Sequence, residues 1–532
     1  MNILALGVAI GLACAALAAG HATTAAAGPP TTVQTQSGPV RGAGVDVVAF
    51  KGIPYAAPPV GDLRWRPPAP PGGWTEVRDA TRFGPACSQP AGIAPQGRVG
   101  AALPTLPSSE DCLTLNVWTL ATSAGPKLPT IVWLHGGGFT VGSGAVPQTD
   151  GAALARRGVV VVTLNYRLGP LGFLAHPALS RESERGVSGN YGLLDQIAAL
   201  RWVQANIAAF GGDPSNVTLV GQSAGATSVG VHLVSPLSRG LFQRAIIESI
   251  GGSFSGPKRR LRDPYYGMAS AESDGAAKVP DIAAFRALSA GDVLARLPSA
   301  PTVVPGPHYY PIIDGYVLPD DPELLLGTDR QAKVPVLIGR NAEEGLFWAS
   351  NSPKTLSAFH DYIRAWLPLE PAQSVFQHYP AATDAEASAA AVRLTTDFRV
   401  AAPTALVARR LARATQVHVY RLSRVSPFGR ANWGGAAHTA EIPYVFGNVT
   451  DASQYDEVDR TLSDAIAGAW VRFAKTGDPN GPGLPQWPPY KPRDYQFLDY
   501  GDAVTVASDA SDPSIEFFQR AYANMKAASP PR

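Results

Sequence analysis

Val217-Thr-Leu-Val-Gly-Gln-Ser-Ala-Gly225 sets four β-forming residues directly before a serine framed by two glycines, and helical spacing of apolar residues follows toward Leu233. Strand, tight turn and helix in that order make one unit of an alternating α/β chain. Immediately upstream, Leu193, Leu194, Ile197, Leu200, Val203 and Ile207 keep helical spacing between Tyr191 and Phe210, and Gly211-Gly-Asp-Pro214 ends the run. Farther upstream, Pro129-Thr-Ile-Val-Trp-Leu134 and Gly158-Val-Val-Val-Val-Thr-Leu164 are compact apolar runs of the kind a strand buried on both faces requires. Val45 to Phe50 and Leu115 to Trp118, separated by a proline-rich stretch from Pro54 to Pro71, read as the antiparallel start of the same sheet. Downstream, Val334 to Ile338 and Val417 to Tyr420 supply two more strands, and an amphipathic helix from Val458 to Phe473 stops at Thr476-Gly-Asp-Pro479. The expected fold class is α/β: a large, mostly parallel sheet with helices on both faces and helical insertions. Those insertions account for the length, so residues 28–532 are expected to form one domain.

Composition removes several alternatives. The charged fraction is 16%, below the usual value of about 25%, and 44 basic against 42 acidic side chains leave a net charge of +2. No basic block is long enough to mark a nucleic-acid surface. The N-terminus, Met1 to Gly20, is an apolar run followed by small residues with several A-x-A cleavage choices before Gly28, so residues 1–27 are expected to be a removable export signal. Its alanine and glycine content makes it a poor permanent anchor, and the mature chain is expected to be secreted or periplasmic without a stable membrane attachment. Two cysteines then remain, Cys87 and Cys112, an even count for an oxidising compartment and an expected single disulfide. Neither has a Cys or His partner at zinc-ligand spacing, and no cofactor or metal site is expected.

The chemistry is carried by separate loops. Gly221-Gln-Ser223-Ala-Gly225 is a G-x-S-x-G sequence between a strand and a helix, where a strained turn exposes a serine hydroxyl as a nucleophile. His135-Gly-Gly-Gly-Phe139 follows the strand ending at Leu134 and suits a loop whose backbone N–H groups stabilise an oxyanion. The amides of Gly137, Gly138 and Ala224 are the expected donors. A phosphate loop is excluded, because no Gly-Lys-Ser/Thr follows and no G-x-G-x-x-G opens a helix there.

Phe210-Gly-Gly-Asp-Pro-Ser-Asn-Val-Thr-Leu-Val-Gly-Gln-Ser-Ala-Gly225 resembles the serine signature of the type-B carboxylesterases, the family that includes the cholinesterases, and Glu110-Asp-Cys-Leu-Thr-Leu-Asn116 resembles its cysteine-containing signature. Phe50 to Ala57, Asn165 to Gly169 and Phe473 to Asn480 are similar to further family blocks, so the resemblance spans about residues 33 to 500. It implies the α/β-hydrolase fold and hydrolysis of a small-molecule carboxylic ester through an acyl-enzyme. It also implies a triad of Ser, Glu and His in chain order. Gly339-Arg-Asn-Ala-Glu-Glu344-Gly345 resembles the acid loop and points to Glu344, with Glu343 as the alternative. Gly435-Ala-Ala-His438-Thr-Ala-Glu441 resembles the histidine loop and makes His438 the base, with Glu441 structural. The pair Cys87 and Cys112 matches the family's first disulfide. Arg64 with Glu110, and Arg167 with Asp195, resemble bracing ion pairs. An inactive binding protein on the same fold is the competing reading, and the intact Ser223, Glu344 and His438 argue against it.

Two positions depart from the pattern. Gln222 stands where many family members carry glutamate, and no Trp, Tyr or Phe lies between Cys87 and Cys112. Recognition of a quaternary ammonium uses aromatic faces and negative charge, so choline esters are poor candidates and an uncharged, apolar ester is expected.

Overall fold

The computed structural model describes residues 31–90, 107–120, 126–251, 254, 258–299, 309–367, 370–509 and 513–527. The expected signal, residues 1–27, lies outside them.

Ten strands form the main sheet: β1 (Val48–Pro54), β2 (Thr114–Thr119), β3 (Leu128–Leu134), β4 (Val160–Leu164), β5 (Gly212–Gln222), β6 (Arg244–Glu248), β7 (Val336–Asn341), β8 (Val417–Leu422), β9 (Gln496–Tyr500) and β10 (Val504–Ser508). Their spatial order is β10-β9-β8-β7-β6-β5-β3-β4-β2-β1. All pairings from β4 through β9 are parallel, and the antiparallel pairs are β1–β2 and β2–β4 at one edge and β9–β10 at the other. This is the α/β-hydrolase architecture that the resemblance implies, including its antiparallel start.

Period-two alternation explains how β3 is buried on both faces. Val132 and Leu134 join the core beneath α1 (Tyr191–Asn206) and α2 (Ala224–Val234), whereas Ile131 and Trp133 join the opposite core with α5 (Glu457–Thr476). Each large apolar side chain so buried contributes roughly 1.5–3 kcal/mol of transfer free energy. A third core joins α3 (Asp384–Thr396), the neighbouring α4 (Ala402–Leu411) and α6 (Pro513–Ala527). The stop signals act as read: Gly211 and Gly477 take left-handed conformations at φ 81° and 85°, and Asp456 with Asp459 closes a capping box at the start of α5.

Two features differ from the sequence reading. β5 begins at Gly212 rather than Val217, because Gly212 already pairs with Leu128 before a register shift at Val217. Strands β6, β9 and β10 are additions to the expected set. The β6 run, Arg-Ala-Ile-Ile-Glu, offers only three consecutive apolar residues between charges, too short for a periodic signal, yet it pairs with β5 on one side and β7 on the other.

Candidate active site

Ser223 stands between the end of β5 and the start of α2 with φ 58° and ψ −118°, a strained backbone for a residue with a side chain. Its own N–H donates to Glu248 O at 2.9 Å, and its carbonyl accepts from Thr227 N at 2.9 Å, so β6 and α2 clamp the turn from both sides. Glycine is required on each flank by close approach. A Cβ at Gly221 would stand 2.4 Å from Gly225 O, and one at Gly225 would stand 2.0 Å from Leu134 O, the carbonyl at the end of β3.

The loop after β3 lies against this turn. A Cβ at Gly136 would come within 3.1 Å of the Ser223 Cβ and 2.8 Å of Gln222 Oε1. Gly137 and Gly138 adopt φ 106° and 61°, and Gly137 O accepts from Val141 N at 3.0 Å to close the loop. Among the described residues, the N–H groups of Gly137, Gly138 and Ala224 donate to no protein acceptor. Ala224 N–H also sits at the positive end of α2. His135 is walled in beneath the loop, its Nδ1 2.8 Å from Gly136 O and its ring stacked on Tyr166; burial pushes its pKa down to about 4, so it is neutral and structural.

Glu344 follows β7 and His438 follows β8, and the two meet: His438 Nδ1 is 2.5 Å from Glu344 Oε2. The other carboxylate oxygen accepts from Ser249 Oγ at 2.7 Å and from Asn341 N at 2.7 Å. Glu343 goes elsewhere. It binds the backbone of Ala436, accepting from its N–H at 2.8 Å and donating its own N–H to its carbonyl at 3.0 Å, and so holds the histidine loop rather than the imidazole. Ser249 at φ 55° and Thr439, directly after the histidine, at φ 78° are further strained non-glycine backbones at the site. No hydrogen bond joins Ser223 Oγ to His438 among the described residues. The Nε2 edge of the ring instead faces Gln222 Nε2 at 3.3 Å.

Around this pair the electrostatics are acidic and buried. Glu441 receives an N–H of Asn341 at 2.5 Å and, weakly, the Ser249 hydroxyl at 3.3 Å; burial first, then the nearby Glu344, push its carboxyl up to about 7. Glu248 accepts from Trp470 Nε1 at 2.7 Å, and burial, with Glu441 beside it, raises its carboxyl well above the usual range. Aromatic rings cover the imidazole: Trp348 at 4.9 Å and Phe347 at 5.5 Å between centroids, with Trp433 stacked on Phe347.

The model of the carboxylesterase family matches residues 29–518. The chain belongs to the carboxylesterase family. As a carboxylesterase it is 41% identical to the fumonisin B1 esterase of Sphingopyxis macrogoltabida over 90% of its own length and 87% of that protein's. It is 37% identical to the para-nitrobenzyl esterase of Bacillus subtilis (strain 168), with 90% and 96% covered, and 35% identical to the phenmedipham hydrolase of Pseudarthrobacter oxydans, with 87% and 94% covered. The bracing contacts of this carboxylesterase are also present. Cys87 and Cys112 form a disulfide, Arg64 pairs with Glu110 through two hydrogen bonds of 2.7 and 2.5 Å, and Arg167 grips Asp195 through two more of 2.8 and 2.7 Å.

Sequence reasoning does not single out Ser249, the aromatic wall, or the contact of Gln222 with the histidine. Ser249 follows β6, the strand without a periodic signal, so nothing in the chain marks it. Phe347 and Trp348 follow Glu344 within the same short helix, Glu344–Asn351, and two adjacent large aromatics just after an expected acid residue are a readable sign.

Proposed function

We propose that this carboxylesterase works through an acyl-enzyme with Ser223 as nucleophile, His438 as general base and Glu344 as the carboxylate that orients the base. The observation that carries the proposal is the short Nδ1-to-Oε2 contact of His438 and Glu344, on loops one strand apart, beside a serine in the strained turn between β5 and α2. In the first half-reaction, Ser223 Oγ bonds to the ester carbonyl carbon while its proton passes to His438 Nε2. The oxyanion is received by the N–H groups of Gly137, Gly138 and Ala224, each such donor contributing on the order of 3 kcal/mol to the transition state. The tetrahedral intermediate collapses, the proton on His438 goes to the departing alkoxide, and the ester C–O bond breaks. Water, deprotonated by the same nitrogen, then bonds to the acyl carbon, the bond from that carbon to Ser223 Oγ breaks, and the proton on His438 returns to Oγ as the acid leaves.

The substrate in this reading is uncharged and apolar next to the scissile bond. Phe347 and Trp348, whose rings cover the imidazole, favour such groups. Choline esters are disfavoured because the residue before Ser223 is neutral and the cation Arg399 lies 4.8 Å from the far Trp348 ring. Export to an oxidising compartment is part of the same proposal and is supported by the disulfide. No helix among the described residues is long and apolar enough to cross a membrane.

The test is active-site labelling. A fluorophosphonate adds to Ser223 and stops turnover of a p-nitrophenyl ester, and Ser223→Ala folds but neither labels nor hydrolyses. Stoichiometric labelling at another residue, or turnover retained by the variant, overturns the assignment.

A further inference from the structure

Gln222 is the last residue of β5 and is completely buried. Its Nε2 lies 3.3 Å from His438 Nε2, while its Oε1 has no hydrogen-bond partner among the described residues. That arrangement is unusual for a buried amide, whose groups are ordinarily paired. It is also built into the chain, because the glycine at 136 clears the space: any side chain there would press within 2.8 Å of Gln222 Oε1.

The ring explains which way the amide faces. His438 Nδ1 meets a carboxylate, which only accepts, so Nδ1 carries the proton and Nε2 presents a bare lone pair. A neutral ring in that tautomer can only accept at Nε2, and the amide must therefore offer its N–H there. The carbonyl is left without a partner as a consequence. Nε2 has a single lone pair, so the same donation occupies the acceptor that the Ser223 hydroxyl needs, and the resting site has no hydrogen bond between serine and histidine.

We propose that Gln222 is a positioning residue for the base, its side-chain amide holding the Nε2 edge of His438 in the resting enzyme and turning its idle carbonyl toward that edge once the ring is protonated. A half-turn of the amide suffices, since it exchanges Nε2 and Oε1 in place. The imidazolium is then held at both edges, by Glu344 at Nδ1 and by Gln222 near Nε2, and no further charge is introduced. The groups that already face the ring or its partners are Glu344, Glu343, Glu441, Glu248, Tyr420 and, across Trp348, Arg399.

This inference rests on His438 acting as the base, and the experiment separates the two. kcat/KM on a neutral p-nitrophenyl ester is measured against pH for the wild type, Gln222→Glu and Gln222→Met. If the wild type keeps full activity down to about pH 4, the histidine base fails, and this inference with it. If the wild type loses activity in acid, Gln222→Glu is expected to lose it at a pH higher by roughly one unit or more, because a carboxyl at this contact favours the protonated ring. A profile within about 0.2 unit of wild type overturns the role of Gln222 and leaves the base assignment standing. Gln222→Met keeps the volume but no polar group, and kcat is expected to fall about tenfold with KM within about twofold. Wild-type kcat in a folded Gln222→Met variant also overturns the proposal, since it would reduce the amide to packing.

Discussion

Glu344→Gln changes one oxygen to an NH2 group, and the hydrogen bonds around that carboxylate set the cost of the change. Oε1 of Glu344 accepts from Asn341 N and Ser249 Oγ, both at 2.7 Å, and Oε2 faces His438 Nδ1 at 2.5 Å. A glutamine must turn its NH2 toward one of these two sides. Turned to the imidazole, it donates to Nδ1 and drives the ring proton to Nε2, the nitrogen that receives the serine proton in the proposed mechanism. Turned the other way, it sets N–H against the Asn341 N–H and leaves a buried donor unpaired, at about 1–3 kcal/mol. The working tautomer is then held in roughly one molecule in ten to one in a hundred. Loss of the negative charge beside the imidazolium removes a further factor of about a hundred, for which an ion-pair energy of a few kcal/mol at an effective dielectric of roughly 20 is sufficient. Together these lower kcat by roughly 10³–10⁴, the size seen for the equivalent acid-to-amide change in a serine-protease triad. Initial rates of p-nitrophenyl ester hydrolysis measure the loss, and thermal melting verifies the fold. A folded variant within about tenfold of wild type would refute the reasoning, because the carboxylate would then not be setting the tautomer.

Three other perturbations have outcomes that the packing and the charges dictate. Gly225→Ala is expected to lose about 3 kcal/mol or more of stability, read from urea unfolding, since its Cβ meets backbone at 2.0 Å; wild-type stability would mean that α2 can slide away from β3. Arg167→Met strands Asp195 without its fully buried partner and is expected to cost about 3–5 kcal/mol by the same assay, a change under about 1 kcal/mol showing that water reaches the pair. Glu441, pushed from 4.5 up to about 7, holds its proton more tightly folded than unfolded, so its contribution to stability is complete below pH 4.5 and is lost as pH rises toward and through 7. Glu441→Gln removes that loss: urea midpoints measured across this range should decline less steeply than those of the wild type, and parallel curves would show that the raised value belongs to another group.

Most of the frame can be read in the chain because its signals are local. The two-sided apolar runs of β3 and β4, the helix stops at Gly211 and Gly477, and the glycine-framed serine each depend on neighbours within a few residues. The resemblance then leads to Glu344 and His438, which no spacing rule would join across 94 residues. The features that stay hidden are set by tertiary contact. β6 is a strand because β5 and β7 flank it, not because Ala245-Ile-Ile247 is long enough to declare itself. Ser249 and Asn341 matter through the Glu344 oxygen they share, and the raised carboxyls of Glu248 and Glu441 arise from enclosure, which composition does not encode. Gln222 reads in the sequence as a missing charge, whereas its contact with the histidine is visible only in three dimensions.

Ser223 and Glu344 stand just beyond the C-terminal ends of β5 and β7, and His438 lies farther along the connection that leaves β8, past a short helix (Pro427–Asn432), while the chain between β7 and β8 wanders through α3 and α4 before returning. The three proposed reacting groups thus sit on loops at the C-terminal side of the sheet, and the excursion beyond Glu344 contributes walls such as Trp348 and the Arg399 behind it. Laboratory recombination could exploit this division: grafting another relative's excursion between Leu346 and Val417, beyond the Glu344 loop, should exchange the clientele of the enzyme while the proposed reaction stays the same.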